Sequence, residues 1–353
     1  MSIENQKSGF NLFWISKYRD ELFGLAIISI VLFHFSVDFV SALDKGIIGY
    51  GPILWKSHAI EEYFKFISSI GVEIFVLLSG MGLYFSFSKN SNICQFYKKR
   101  YLKILPPYLI VAAIFWAFKD FKFQGEGIKE YLADISFCTF FTDGVHTIWF
   151  IALLIVLYLA FPLIYKLLNK EKGRLSWLVL LLIITYGGPI IMYYIEPELY
   201  AKLSIAATRI PLFVIGCFAG SHIKNGTVIK YKYIVLFCII SFAAKFIRVY
   251  AHLDNYINRY LDGLYACGLL LALTGLLVVF REYDLFNKIL RFFGKYSLEI
   301  YMTHVAMRNL MKEFGFDAYR ISQYFIMVVL AVILSVILNL LCNAATNLFI
   351  KKG

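Results

Sequence analysis

The chain has 353 residues, 60% of them hydrophobic and only 16% charged, with a mean hydropathy of +0.70. A soluble domain carries roughly 25% charged residues, so this composition excludes a water-soluble globular protein and points to an integral membrane protein. The net charge of +12 follows from Lys and Arg crowding cytoplasmic loops. With no basic stripe interleaved with aromatics on a soluble segment, it does not indicate a nucleic-acid partner.

The apolar runs have helical length, and none alternates over ten residues or so like a membrane β-barrel strand. The expected fold is all-α: a polytopic membrane bundle of about ten helices, one membrane-embedded domain over residues 1–353, with no soluble domain. In chain order the spans fall near 20–42, 68–88, 104–120, 147–168, 175–195, 203–222, 231–250, 259–280, 295–312 and 322–350. The first follows Lys7, Lys17 and Arg19 but has no small-residue cleavage site and holds His34 and Asp38, so it reads as a retained helix. The third opens on Pro106–Pro107, which suits a helix's first turn. The ninth is short and holds Glu299, His304 and Arg308.

Loop charges set the orientation. The loop after the second span carries Lys89, Lys98, Lys99, Arg100 and Lys103. Those after the fourth, sixth and eighth are also basic, with Lys166, Lys170, Lys172 and Arg174 against Glu171, then Lys224, Lys230 and Lys232, then Arg281, Lys288, Arg291 and Lys295. The tail ends in Lys351 and Lys352. The loop before the fourth span instead sets Lys122 and Lys129 against Glu126, Glu130, Asp134 and Asp143. This alternation expects both termini in the cytoplasm. None of the six cysteines forms a CxxC pair and most lie in apolar runs, so neither a disulfide framework nor a metal site is implied.

Polar residues inside the spans carry the chemistry, because they are expensive in lipid. At about 1.5 Å per residue, His34 lies roughly 21 Å up an outward-going helix and Glu73 roughly 8 Å below the outer surface. Arg209 lies six residues into the sixth span, at a similar level. A carboxylate beside a histidine orients the ring and raises its basicity, so His34 and Glu73 form a candidate general-base pair, with Arg209 for an anionic group. A buried polar knot that only holds helices together is the other reading. Ser297, Tyr301 and His304 share one face of the ninth span at spacings of four and three. His146 and Trp149 sit at the outer mouth of the fourth, where an aromatic-belt role also suits Trp149. The basic run YKKRYLKILPPY (97–108), ending in Tyr108, is a positive-inside anchor and a candidate cytoplasmic anion site.

Six segments in order resemble the acyltransferase-3 family of membrane acyltransferases: RDELFGLAIISIVLFHF (19–35), GVEIFVLLSGMGLYFS (71–86), FYKKRYLKILPPYL (96–109), HTIWFIALLIVLYLAFPLI (146–164), RIPLFVIGCFAG (209–220) and FGKYSLEIYMTH (293–304). The family's first helix carries Arg, ten residues, then His. Here Phe23 holds the arginine's place and the nearest arginine is Arg19, one turn earlier. The resemblance implies transfer of an acyl group, acetyl above all, from cytosolic acyl-CoA to a hydroxyl of an extracytoplasmic or lipid-linked glycan. Cell-wall polymers, lipopolysaccharide and exopolysaccharide are the acceptor classes, and a bacterial inner membrane is the expected location. On this reading His34 and Glu73 are the catalytic pair, and Arg209, Ser79 or Tyr301 faces the oxyanion. Arg19, Arg100, Lys103, Tyr108 and Trp149 line the donor site, and His146, Ser297 and His304 join the acceptor or oxyanion side. A proton-coupled transporter or flippase of a glycan-related solute is the alternative class, since intramembrane ionisable residues suit it too.

Overall fold

The computed structural model describes residues 9–47, 70–170, 172–251 and 253–351, with residues 346–351 as backbone only. Lys7, positions 68–69 of the second expected span, Glu171 and Lys352 lie outside the described residues. In order, the chain forms a short strand β1 (Phe10–Asn11), α1 (Phe13–Lys17), α2 (Arg19–Asp44), α3 (Gly71–Phe87) and α4 (Ile93–Trp116). A π-helical turn (Ala117–Gln124) leads to α5 (Ile128–Ile135), α6 (Cys138–Thr142), α7 (Trp149–Leu168), α8 (Arg174–Ile195), α9 (Pro197–Ala207) and α10 (Ile210–Lys224). Strand β2 (Val228–Ile229), α11 (Tyr231–Tyr250), α12 (Asn255–Val279), α13 (Asp284–Lys295), α14 (Ser297–Glu313) and α15 (Ile321–Lys351) follow.

Eight helices among the described residues are long and apolar enough to cross a membrane, and α3 is a shorter apolar one. The chain is therefore an all-α polytopic membrane protein. Helices suit that environment because each satisfies its own backbone groups where no water can. On α8, the side chains of Leu175, Ile183, Ile191 and Ile195 are 59–69% exposed, as expected of a surface solvated by lipid. Three local features differ from the sequence expectations. Pro106 and Pro107 lie inside α4, which starts at Ile93, so the basic run is helical. The sixth span is two helices, because Pro211 cannot donate to the turn before it and α10 restarts there, with Arg209 at its N-cap. Helix α14, over the ninth span, is not among the apolar candidates; polar contacts hold it instead.

Contacts divide the chain into two compact units. The first comprises Met1–Ala26, Ser69–Phe96 and Val156–Lys295. At its centre α3 packs on α10 through glycines: a side chain at Gly80 would meet the Phe213 carbonyl, and one at Gly216 the backbone of Leu77. Gly216 and Gly220 are four apart, so both lie on one face and let the helices approach as small residues do in membranes. Gly216→Val is expected to force α3 and α10 apart and cost at least about 1–3 kcal/mol of overpacking strain. Thermal unfolding of the detergent-solubilised variant checks this; an unchanged midpoint would disprove the close approach. In the same unit β1 pairs antiparallel with β2, Phe10 opposite Ile229, and Gly294 approaches the backbone of Asp20.

The second unit comprises Ile27–Ser68, Tyr97–Ile155 and Tyr296–Gly353. Here α14 packs on α15 by polar contacts. The Thr303 and Ser335 hydroxyls lie 2.7 Å apart, and Asn339 Nδ2 donates to Glu299 Oε1 at 2.8 Å. Such pairing keeps the polar face of α14 satisfied away from water.

Candidate active site

In the second unit, the part of α2 from Ile27 onward and α14 run side by side, in register. His34 Nδ1 lies 3.1 Å from His304 Nε2, and one turn on, Arg308 grips Asp38. Both contacts join residues 270 apart in sequence, so the two helices are parallel. His34 and Asp38 are i,i+4, and His304, Arg308 and Lys312 repeat the same interval, which puts each set on one helical face. The imidazole rings are stacked with centroids 5.2 Å apart and planes 27° apart. His34 is half-buried, whereas His304 is fully buried.

The histidine pair is closed on one side by Tyr324 of α15. Its hydroxyl donates to the Val31 carbonyl at 2.6 Å and lies 3.3 Å from His304 Nε2. The tyrosine proton is used on Val31, so the His304 Nε2 lone pair is left to accept from His34. His304 Nδ1 has no hydrogen-bond partner among the described residues. When the proton of His34 sits on Nδ1, donated to His304, the Nε2 lone pair is free to take a proton from an incoming hydroxyl. Below the pair, Arg308 Nε and Nη2 bind the two oxygens of Asp38 at 2.6 and 2.5 Å, a bidentate fork, and Lys312 Nζ joins them. Two cations against one carboxylate leave a positive excess one turn from His34.

Glu73 lies in the first unit, and so does its partner. Arg209 Nη2 is 2.7 Å from Glu73 Oε1, with both side chains buried. Arg209 Nη1 also donates to the Ile205 carbonyl, across the break between α9 and α10. That break turns the arginine toward the first turn of α3. Glu73 Oε2 has no hydrogen-bond partner among the described residues. Arg259 is within electrostatic reach of Glu73, Arg209 and Asp262, and Asp262 in turn holds the buried Lys245 at 2.8 Å. This is a buried polar network with more cations than anions.

The residues expected at the site thus fall into two sets. The structure joins His34 to His304 and Glu73 to Arg209, each pair within one unit. In the second unit, Tyr301 is buried, and its hydroxyl accepts from the Phe150 N–H at 3.3 Å beside buried Trp149. Ile148, just before Trp149, holds a positive φ of 56°, a strained conformation for a β-branched residue. Ser297 is buried at the start of α14, and His146 is exposed, its ring 6.1 Å from that of Phe140. Tyr108 serves as an anchor: its hydroxyl donates to the Ile135 carbonyl at 2.7 Å and its ring stacks on Phe137. Arg100 is half-buried and Lys103 exposed on α4. In the first unit Arg19 is exposed and paired with Asp20 at 3.0 Å, and Ser79 is half-buried on α3.

Sequence reasoning missed the partners Asp38, Arg308, Lys312 and Tyr324. A signal for the first three was present, since the spacing of His34 and Asp38 on one span matches that of His304, Arg308 and Lys312 on another. Tyr324 had none, because nothing in an apolar run tells which tyrosine meets a histidine.

A histidine dyad with one ring fully buried and the other half-buried, on membrane helices, suits proton abstraction from a hydroxyl within the membrane. A family model described as an acyltransferase domain matches residues 24–340. No curated protein and no solved structure matches the chain. The match spans nearly the whole sequence, so the chain belongs to the acyltransferase-3 family and is an integral membrane acyltransferase.

Proposed function

We propose that the protein moves an acyl group, acetyl in the first instance, from cytosolic acyl-CoA to a hydroxyl of an extracytoplasmic or lipid-linked glycan in a bacterial inner membrane. His34 is the general base. It takes the proton of the acceptor hydroxyl on Nε2 while Nδ1 stays bonded to His304. The hydroxyl oxygen attacks the thioester carbonyl, and the tetrahedral intermediate collapses with loss of the CoA thiolate, which is protonated in turn. The positive excess of Arg308 and Lys312 over Asp38 favours the negative charge that develops on the way.

The observation that carries this reading is the dyad itself, His34 Nδ1 at 3.1 Å from His304 Nε2. On this reading His304 is the group that orients His34. Glu73 and Arg209 are assigned to the buried network of the other unit, with Arg209 positioned toward an anionic group of donor or acceptor. The basic residues Arg100 and Lys103 of the second unit remain the proposed holders of the donor's phosphates.

Purified protein in nanodiscs, given labelled acetyl-CoA and cell-wall, lipopolysaccharide or exopolysaccharide fragments, tests the proposal. Label is expected in one acceptor class with stoichiometric release of free CoA. If neither acetyl-CoA nor succinyl-CoA releases a thiol with any acceptor, CoA is not the donor.

A further inference from the structure

In the second unit, away from the histidines, three carboxylates converge at the turn that follows α4. One oxygen each from Asp120, Glu126 and Asp134 lies within 4.8 Å of the other two. Asp120 is fully buried, and neither of its oxygens has a hydrogen-bond partner among the described residues. A buried carboxylate without donors is costly, and burial of charge is tolerated when the group is paired or coordinates a metal. Asp134 is also buried; the Thr139 hydroxyl occupies one side of it. Glu126 is exposed at the mouth of the cluster.

The local backbone brings these groups together. The π-helical turn re-aims Asp120 inward, as π turns do at sites in other helices. Gly125, at φ 69°, then reverses the chain, and the N–H of Glu126 donates to the Asp120 carbonyl at 2.8 Å. Glu130 adds a fourth carboxylate nearby; its Oε2 is 3.2 Å from where a Cβ on Gly127 would stand. Lys119 faces both Asp120 and Asp134 while its Nζ lies 4.4 Å over the Trp116 ring. The cation acting on both Asp120 and Asp134 is outnumbered by the four acids, which leaves the cluster negative. Burial raises the Asp134 carboxyl above the ordinary aspartate range, and the Thr139 hydrogen bond opposes it.

We infer that Asp120, Glu126 and Asp134 bind a hard divalent cation. All donors are carboxylate oxygens, the set chosen by Ca²⁺ or Mg²⁺ over softer metals. Ca²⁺ binds oxygen at about 2.3–2.6 Å, so two ligands across the ion stand up to about 5 Å apart, and the observed cluster falls inside that span. The cation ties α5 to the π turn. That turn packs against α14, the helix of His304, with the Phe123 ring 4.9 Å from that of Phe314. The bound ion therefore stabilises one end of the helix carrying half of the dyad.

The test uses full-length protein in uncharged detergent, stripped with EDTA and titrated with Ca²⁺ or Mg²⁺ by calorimetry and thermal unfolding. Saturable binding of one ion per chain is expected, at an affinity on the order of 0.1–1 mM, as for extracellular modules with few ligands. The unfolding midpoint should rise with ion concentration. Asp120→Asn should abolish both effects, and Glu126→Gln, whose side chain is exposed and should leave folding intact, should weaken binding about tenfold or more. If Asp120→Asn fails to fold, Glu126→Gln decides alone. Absence of binding in the wild type, or equal binding in Glu126→Gln, overturns the assignment.

Discussion

His34→Ala should reduce acyl transfer by about 10²–10⁴-fold, the range lost when a general base is removed. The variant should still insert, because His34 is half-buried and the neighbouring Asp38–Arg308 fork keeps α2 and α14 in register without it. Added imidazole should restore part of the rate by filling the vacated space as a free base. A purely structural histidine would give no such rescue. CoA release by nanodisc-embedded protein is the measurement, and a variant that kept the wild-type rate would remove His34 from the mechanism. His304→Ala should follow the same direction with a smaller loss, since it orients the base and does not touch the hydroxyl.

Arg209→Met is expected to be the most destabilising of the site substitutions. It removes the ion-pair and hydrogen-bond partner of Glu73, 2% exposed, and breaking a buried pair in this way costs about 3–5 kcal/mol. Glu73→Gln alone leaves Arg209 with its bond to the Ile205 carbonyl and should be milder in stability, though transfer should fall severely if the network positions a substrate. The double variant should recover much of the stability lost in Arg209→Met, since no unpaired carboxylate remains. Unfolding midpoints of the four proteins close the cycle. If the double variant is no more stable than Arg209→Met, the pair does not carry the energy assigned to it.

Much of the fold was legible because lipid imposes long apolar helices. Helix α11 runs over Tyr231–Tyr250, the same residues as the seventh expected span, and α7 begins at Trp149, two residues into the fourth. Hydropathy was silent where chain chemistry interrupts a span. The break before Arg209 depends on Pro211 and the start of α10, whereas Pro106–Pro107 interrupt nothing in α4.

The amino-acid sequence by itself determined the membrane class, the helical architecture, the family and the residue types able to do chemistry. It also gave an expected depth for His34, Glu73 and Arg209, because rise per residue is a property of any helix. Depth names a layer and not a neighbour. Which groups meet depends on how each helix is rotated and what packs against it, and only the tertiary structure decided that. It joined His34 to His304 and Tyr324, set the Asp38–Arg308 fork beneath them, and paired Glu73 with Arg209. It also gathered Asp120, Glu126 and Asp134, which the sequence shows only as the end of the third span and part of an acidic loop.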